Sequence, residues 1–134
     1  MDIKKLLTGT VVGAVVGLIA GYLLFGMALS SFMAENASAT KEPDMLWLIF
    51  GHLAYAALLT YIFLQWAGIK TAATGAKAGA IIALLSGLAF NWIWHGTSDL
   101  FPGGCVATLI DAAGGAVVWA IGGAAIGWVL GRGE

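Results

Sequence analysis

Charged residues are scarce in this sequence. Of 134 residues, 6 are lysine or arginine and 7 are aspartate or glutamate, which is 10% of the chain, whereas 60% of the residues are hydrophobic. A soluble domain has about 25% charged residues, so this chain has too little polar surface to stay dissolved in water. The formal net charge of −1 gives a nucleic acid no electrostatic reason to bind. We therefore expect a lipid bilayer to surround the chain.

The sequence also has only one cysteine and none of the common enzyme motifs. The single cysteine, Cys105, excludes a disulfide within the chain; it is a free thiol, an intermolecular link or a small apolar residue at a helix start. The sequence has no GxSxG nucleophile motif, no phosphate-binding P-loop and no glycine-rich dinucleotide motif. The HxxxH and HxxEH patterns of metal sites are missing as well. These absences predict a protein that is not an enzyme and holds no metal.

Long hydrophobic runs are what the sequence has in abundance. A helix needs about 20 apolar residues to cross a membrane, and the span must be helical so that its backbone polar groups are satisfied in lipid. The first run has about 24 apolar residues, which is too long for the hydrophobic region of a signal peptide, so we expect it to be retained. Four runs qualify as spans: 6–29, 45–67, 78–100 and 105–130.

The connections between the runs are short, which favours an antiparallel, up-down four-helix bundle. The sequence thus predicts an all-α fold with one transmembrane domain over residues 1–134. Lysine and arginine accumulate on the cytoplasmic side of membrane proteins. Both termini are therefore expected in the cytoplasm, with the bacterial inner membrane as the location. Four spans would place these basic residues on one side, with only Lys41 opposite: Lys4, Lys5, Lys70, Lys77 and Arg132.

Tryptophans fall near both predicted membrane boundaries, as is typical of spanning helices. Trp119 is the exception, because it falls deep in the fourth run, where it either fills core space or faces lipid. The others form two belts: Trp47, Trp92 and Trp94 near the outer boundary, and Trp66 and Trp128 near the inner one.

Glycines recur at a spacing of four residues, which places them on one face of a helix. In lipid, small residues mark surfaces where another helix approaches closely. The pattern predicts either packing within one bundle or a ridge, on the first helix, that faces a partner subunit or a second copy. The third run repeats the first at an offset of 66, which suggests duplication of a two-helix unit. The candidate packing residues are Gly9, Gly13, Gly17, Gly21, Gly75, Gly79, Gly87, Gly123 and Gly127.

Polar residues inside a span are costly in lipid and are therefore candidates for function. An antiparallel bundle would gather five of them in its outer half, with Tyr22 and Tyr55 at the border. Four roles are open for them. They hydrogen-bond each other and lock the bundle, or they form a proton relay or ligand site. Alternatively, they bind a divalent metal, or His52 or His95 supplies an axial ligand to haem or chlorophyll. The predicted cluster is His52, Asn91, His95, Asp99 and Asp111.

The layout resembles small bacterial four-helix integral membrane proteins of unknown function. The resembling stretches are "EPDMLWLIFGHLAYAALLTYIFLQWAGIKT", "TGAKAGAIIALLSG" and "IGWVLGRG". The resemblance implies the fold but supplies no activity. We expect a non-enzymatic accessory or scaffold subunit of a larger membrane complex, or a homo-oligomer packed through glycine faces. The alternatives are a small homo-oligomeric transporter or channel that uses the polar cluster, and a haem- or chlorophyll-binding subunit of an electron-transfer complex.

Overall fold

The computed structural model describes residues 1–37 and 42–132, and these residues form helices without any strand. Two of the α-helices continue as wider π-helical segments, and α2 is short. Four helical segments are long and apolar enough to span a membrane, as the sequence predicts. The elements are α1 (Ile3–Gly21, then π-helical Tyr22–Ala28), α2 (Ser30–Asn36), α3 (Met45–Ile62, then π-helical Phe63–Ala67), α4 (Ala72–Thr97) and α5 (Gly104–Gly131).

Side-chain caps fix where three of the long helices begin. The Asp2 and Asp44 carboxylates accept backbone N–H groups at the starts of α1 and α3. Thr71 caps α4 by accepting from Thr74 N at 3.2 Å. An N-cap side chain satisfies one of the N–H groups that a helix start leaves unpaired. Because of the Thr71 cap, α4 begins at Ala72 and not near residue 78, where the apolar run starts, and it ends at Thr97.

The first connection contains a helix that hydropathy does not reveal. Residues Ser30–Asn36 form α2, and Gly103 N donates to Asn36 O at 3.2 Å, which ties α2 to the turn between α4 and α5. The end of the molecule that carries this turn is called the distal end below. The π-helical continuation of α1 also lies there, closed by Leu29 N donating to Leu24 O at 2.7 Å.

The helices pack as two pairs, α1 with α3 and α4 with α5, and the pairs meet mainly through α1 and α5. In the first pair, Gly9 of α1 lies against Thr60 of α3, and Gly21 lies against His52, so the residue numbers run in opposite directions. In the second pair, α4 packs along nearly all of α5. α1 also packs on α5, whereas the backbones of α3 and α4 hardly approach each other. The side between α3 and α4, where a cavity opens to the surface, is called the open side below.

The glycines of α4 and α5 let two backbones approach closely. A Cβ atom at Gly79 would collide with the Trp119 carbonyl oxygen and lie 3.2 Å from the Gly123 Cα. A Cβ at Gly75 or Gly127 would collide with backbone atoms of the facing helix in the same way. Small residues permit this approach, which maximises van der Waals contact where lipid supplies little hydrophobic force between helices.

The glycine ridge of α1 faces the interior of the molecule. Gly9, Gly13 and Gly17 are buried, and added Cβ atoms would meet Thr60, Ile126 and Trp119 side chains respectively. The interpretation that this ridge faces a partner subunit is therefore corrected: α3 and α5 of the same chain already occupy it. The alternative reading, in which these glycines serve packing within one bundle, agrees with the contacts.

Tryptophans separate into one core residue and an exposed set. Trp119 is only 8% exposed, so it fills core space, which decides between the two alternatives for this residue. Arg132 places its guanidinium carbon 3.8 Å from the ring centroid of Trp128, at the helix end opposite the distal end. The tryptophans of the two predicted belts all expose at least half of their surface: Trp47, Trp66, Trp92, Trp94 and Trp128. That exposure is compatible with rings that contact the membrane boundary.

Candidate functional site

A hydrogen-bonded amide and carboxyl join α4 to α5 near the distal end. Asn91 is buried, and its Nδ2 donates to Asp111 Oδ2 at 2.7 Å and to the Thr108 carbonyl at 3.1 Å. Both donor hydrogens of Asn91 are thus used. Asp111 is half-buried, and its Oδ1 accepts no hydrogen bond from the described residues. One oxygen of the carboxyl group is therefore fixed by Asn91, and the other is available.

A second polar contact bridges the open side of the molecule. The Tyr55 hydroxyl of α3 and the Ser86 hydroxyl of α4 are 2.8 Å apart, and either oxygen can donate. Ser86 Oγ also lies 3.3 Å from the Ala83 carbonyl, to which it can donate. Among the described residues, no other side-chain hydrogen bond joins α3 to α4.

Trp119 lies between the two aromatic residues of α3 that point inward. Its ring centroid is 4.6 Å from that of Tyr55 and 5.7 Å from that of His52. Gly17 leaves the space for the indole, since a Cβ there would lie 2.9 Å from Trp119 Cη2. The α1 glycine ridge therefore helps to shape the site, because Gly17 makes room for the Trp119 ring, and this ring forms one wall of the site.

A cavity of about 250 Å³ lies among α3, α4 and α5 and opens to the surface. It combines one carboxyl group, two hydroxyl groups and four aromatic rings in an otherwise apolar wall. The side chain of Phe25 reaches it from the π-helical part of α1, where the ring also packs against Gly114. The lining residues are Phe25, Tyr55, Ala83, Ser86, Gly87, Phe90, Asp111, Ala112, Gly115 and Trp119. This cavity is called the distal pocket below.

The charge of Asp111 has no cationic partner in the described part of the chain. Lys77 is the nearest lysine along α4, and it precedes Asn91 by about 20 Å of helix at 1.5 Å per residue. Arg132 lies about 30 Å from Asp111 along α5 by the same measure. Intramembrane carboxyl groups usually pair with a cation or mark the path of one. The distal pocket therefore contains an acidic group that the described residues leave electrically uncompensated.

The predicted polar cluster forms only in part. Asn91 and Asp111 meet, but His52 does not line the distal pocket: its Nδ1 lies 2.8 Å from the Leu48 carbonyl, and its ring packs on Trp119. His95 and Asp99 are exposed beyond Asn91, because α4 ends at Thr97 and extends past the packed region there. The expectation that all five residues converge is therefore corrected.

The arrangement gives little support to a metal or haem at these histidines. Within residues 1–37 and 42–132, no three histidine, cysteine, aspartate or glutamate side chains group closely enough to hold a metal ion. His52 Nε2 faces Gly21, where a Cβ would lie 3.3 Å away, so an axial bond at this atom requires α1 to move. Cys105 is exposed at the start of α5 and carries a free thiol.

Several pocket residues have no distinguishing signal in the sequence. Tyr55 borders the site as predicted, whereas Tyr22 is exposed and contributes nothing to it. Ser86 precedes Gly87 of the small-residue stripe, and a hydroxyl in an apolar span is the signal that would have found it. Phe25 and Phe90 look like ordinary lipid-facing residues, and the packing alone brings them to the pocket.

Comparison of the chain with models of protein families, with curated proteins and with solved structures finds no match in any of the three. The resemblance to small bacterial four-helix membrane proteins therefore stays a prediction.

Proposed function

We propose that this protein is an integral protein of the bacterial inner membrane, folded as an antiparallel, up-down four-helix bundle with both termini in the cytoplasm. Four apolar helices of 23 to 28 residues support the spanning. The end of α5 lies against the connection between α3 and α4, since Gly131 packs on the Lys70 carbonyl. Lys70 and Arg132 are thus at the same end of the molecule, as the enrichment of basic residues on the cytoplasmic side requires.

The function that the geometry supports best is that of a small, non-enzymatic transporter, with the distal pocket as its solute site. The observation that carries this proposal is the half-buried Asp111 carboxyl group, whose Oδ1 accepts no hydrogen bond from the described residues, in a cavity that opens to the surface. In a membrane, an acidic group held in this way is costly, so its retention favours a role with cations. Asn91 orients the carboxyl group without neutralising it.

The test is charge movement in reconstituted membranes. Proteoliposomes on a solid-supported membrane receive concentration jumps of sodium, potassium, ammonium and small organic ammonium ions. We expect a transient current with at least one of these cations, and we expect Asp111→Asn to abolish it. Asp99→Asn is the matched control, because Asp99 is an exposed carboxylate outside the pocket. We expect the current of this variant to persist. If no cation gives a current above that of empty liposomes, the transporter proposal fails.

A second candidate function is that of an accessory subunit or homo-oligomer, favoured by the open side between α3 and α4. Polar groups that reach lipid are costly, so a second copy of the chain, packed on this side, would cover the Tyr55–Ser86 contact. Native mass spectrometry from gently extracted membranes tests this. Masses at multiples of 13.8 kDa support self-assembly, whereas a larger partner indicates an accessory subunit. A bare monomer argues against both.

A further inference from the structure

The lining of the distal pocket restricts what it can bind. Its carboxyl group repels anions, and its aromatic rings attract cations through their electron-rich faces. Divalent metals need several oxygen or nitrogen ligands, and the lining supplies one carboxyl group and the hydroxyls of Tyr55 and Ser86. A small organic cation needs fewer polar ligands, because its alkyl groups pack against apolar and aromatic side chains.

We propose that the distal pocket binds a small alkylammonium cation, with the ammonium group against Asp111 and its alkyl groups against Tyr55, Trp119 and Phe25. The inference rests on the proposed transporter function, since it names the substrate class of the same site. The cavity volume of about 250 Å³ is large enough for a charged nitrogen with a few carbon atoms around it.

The hydrogen bonds around the pocket prepare it for a positive charge. Asn91 fixes Asp111 Oδ2 from the α4 side, so that Oδ1 remains available to a cation. The Tyr55 and Trp119 rings, with centroids 4.6 Å apart, form one aromatic wall, and Phe25 of the π-helical continuation of α1 also lines the pocket. A carboxylate with neighbouring aromatic rings is the arrangement by which proteins recognise ammonium groups.

Gly115 offers a way to close the pocket without disturbing the helices. It lines the cavity, and a Cβ added to it meets nothing within 4 Å. The first side-chain carbon of Gly115→Leu therefore has room, and we expect the remaining carbons of the leucine to occupy pocket volume. Gly51 is the matched control, because its added Cβ also meets nothing within 4 Å, although Gly51 lies outside the pocket.

The experiment is isothermal titration calorimetry on the whole protein in nanodiscs, with empty nanodiscs subtracted. The probe is choline, and its neutral isostere 3,3-dimethylbutan-1-ol has the same shape without the charge. We expect saturable choline binding to the unaltered protein and to Gly51→Leu. Binding weakens about tenfold or more in Asp111→Asn, and Gly115→Leu abolishes it. Circular dichroism confirms that each variant keeps its helical content.

Three results would overturn the proposal: no saturable choline binding to the folded protein, equal binding of the neutral isostere, or undiminished binding to both Asp111→Asn and Gly115→Leu. The binding assay is independent of transport. Choline binding without any current refutes the transporter function and retains the ligand site. An inorganic cation current without choline binding retains the transporter and refutes the ligand class.

Discussion

The glycine faces of α1 and α4 have the same spacing but receive different partners. Along α4, Gly75 and Gly79 meet the α5 backbone, so the two main chains are in contact. Along α1, Gly13 and Gly17 meet side chains, namely those of Ile126 and Trp119. The α4 face is therefore a contact between two rigid surfaces, whereas the α1 face is a groove that holds side-chain ends.

This difference determines how far the atoms that face each row of glycines can move when a methyl group is added to a glycine. A main chain in a helix cannot move without displacing the whole helix, whereas the end of a long side chain can adopt another rotamer. Spacing in the sequence cannot reveal which case applies, because it shows only that the residues share a face. The α4/α5 pair should therefore respond to added atoms as a rigid unit, and the α1 face as an adaptable one.

The largest effect is expected from Gly79→Ala. Its methyl group would collide with the Trp119 carbonyl oxygen, so α4 and α5 must separate, and we expect a loss of about 3 kcal/mol in the free energy of unfolding. Reversible unfolding in mixed micelles of mild detergent and SDS, followed by circular dichroism, measures this. Gly96→Ala on the same helix is the control, because its Cβ meets nothing within 4 Å. Equal stability of the two variants would contradict the rigid contact.

A smaller effect, which a second substitution can reverse, is expected from Gly13→Ala. The added Cβ would lie 2.5 Å from Ile126 Cδ1 and 2.6 Å from Ile126 Cγ1, both in a side chain that can adopt another rotamer, so we expect a loss of about 1 kcal/mol. Ile126→Ala removes both of these carbon atoms. In the double variant the two losses should be less than additive, which the same unfolding assay reports as a coupling energy. Strict additivity would show that the groove does not adapt through Ile126.

The sequence reveals the helices more fully than it reveals the site, for physical reasons. Hydropathy predicts the spans, because a helix needs about 20 apolar residues to cross a membrane. The spacing of four predicts that Gly75 and Gly123 lie at close contacts, but not whether backbone or side chain faces them. The pairing of Asn91 with Asp111 follows from two polar residues at similar depth on adjacent helices. His52 falls at a comparable depth too, yet its bond to the Leu48 carbonyl and the Trp119 ring keep it apart.

The smallest effect is expected at the weak contact between the two helix pairs. Tyr55→Phe removes the hydroxyl that meets Ser86 across the open side, and interhelical hydrogen bonds in membranes average about 0.6 kcal/mol. A double-mutant cycle with Ser86→Ala should return a coupling energy of that size. Tyr61→Phe is the control, because the Tyr61 hydroxyl makes no hydrogen bond with the described residues and its ring packs on Trp66.

The cycle also tests how the two pairs are joined. A coupling energy near 0.6 kcal/mol means that α3 and α4 close the distal pocket together, since Tyr55 and Ser86 both line it. A coupling of zero would mean that the hydroxyl pair does not hold the two helix pairs together, and that they are held through α1, α5 and the packing of Tyr55 and His52 on Trp119. Parting the Tyr55 and Ser86 hydroxyls, which both line the distal pocket, would then cost less than the separation of α4 and α5 that Gly79→Ala requires.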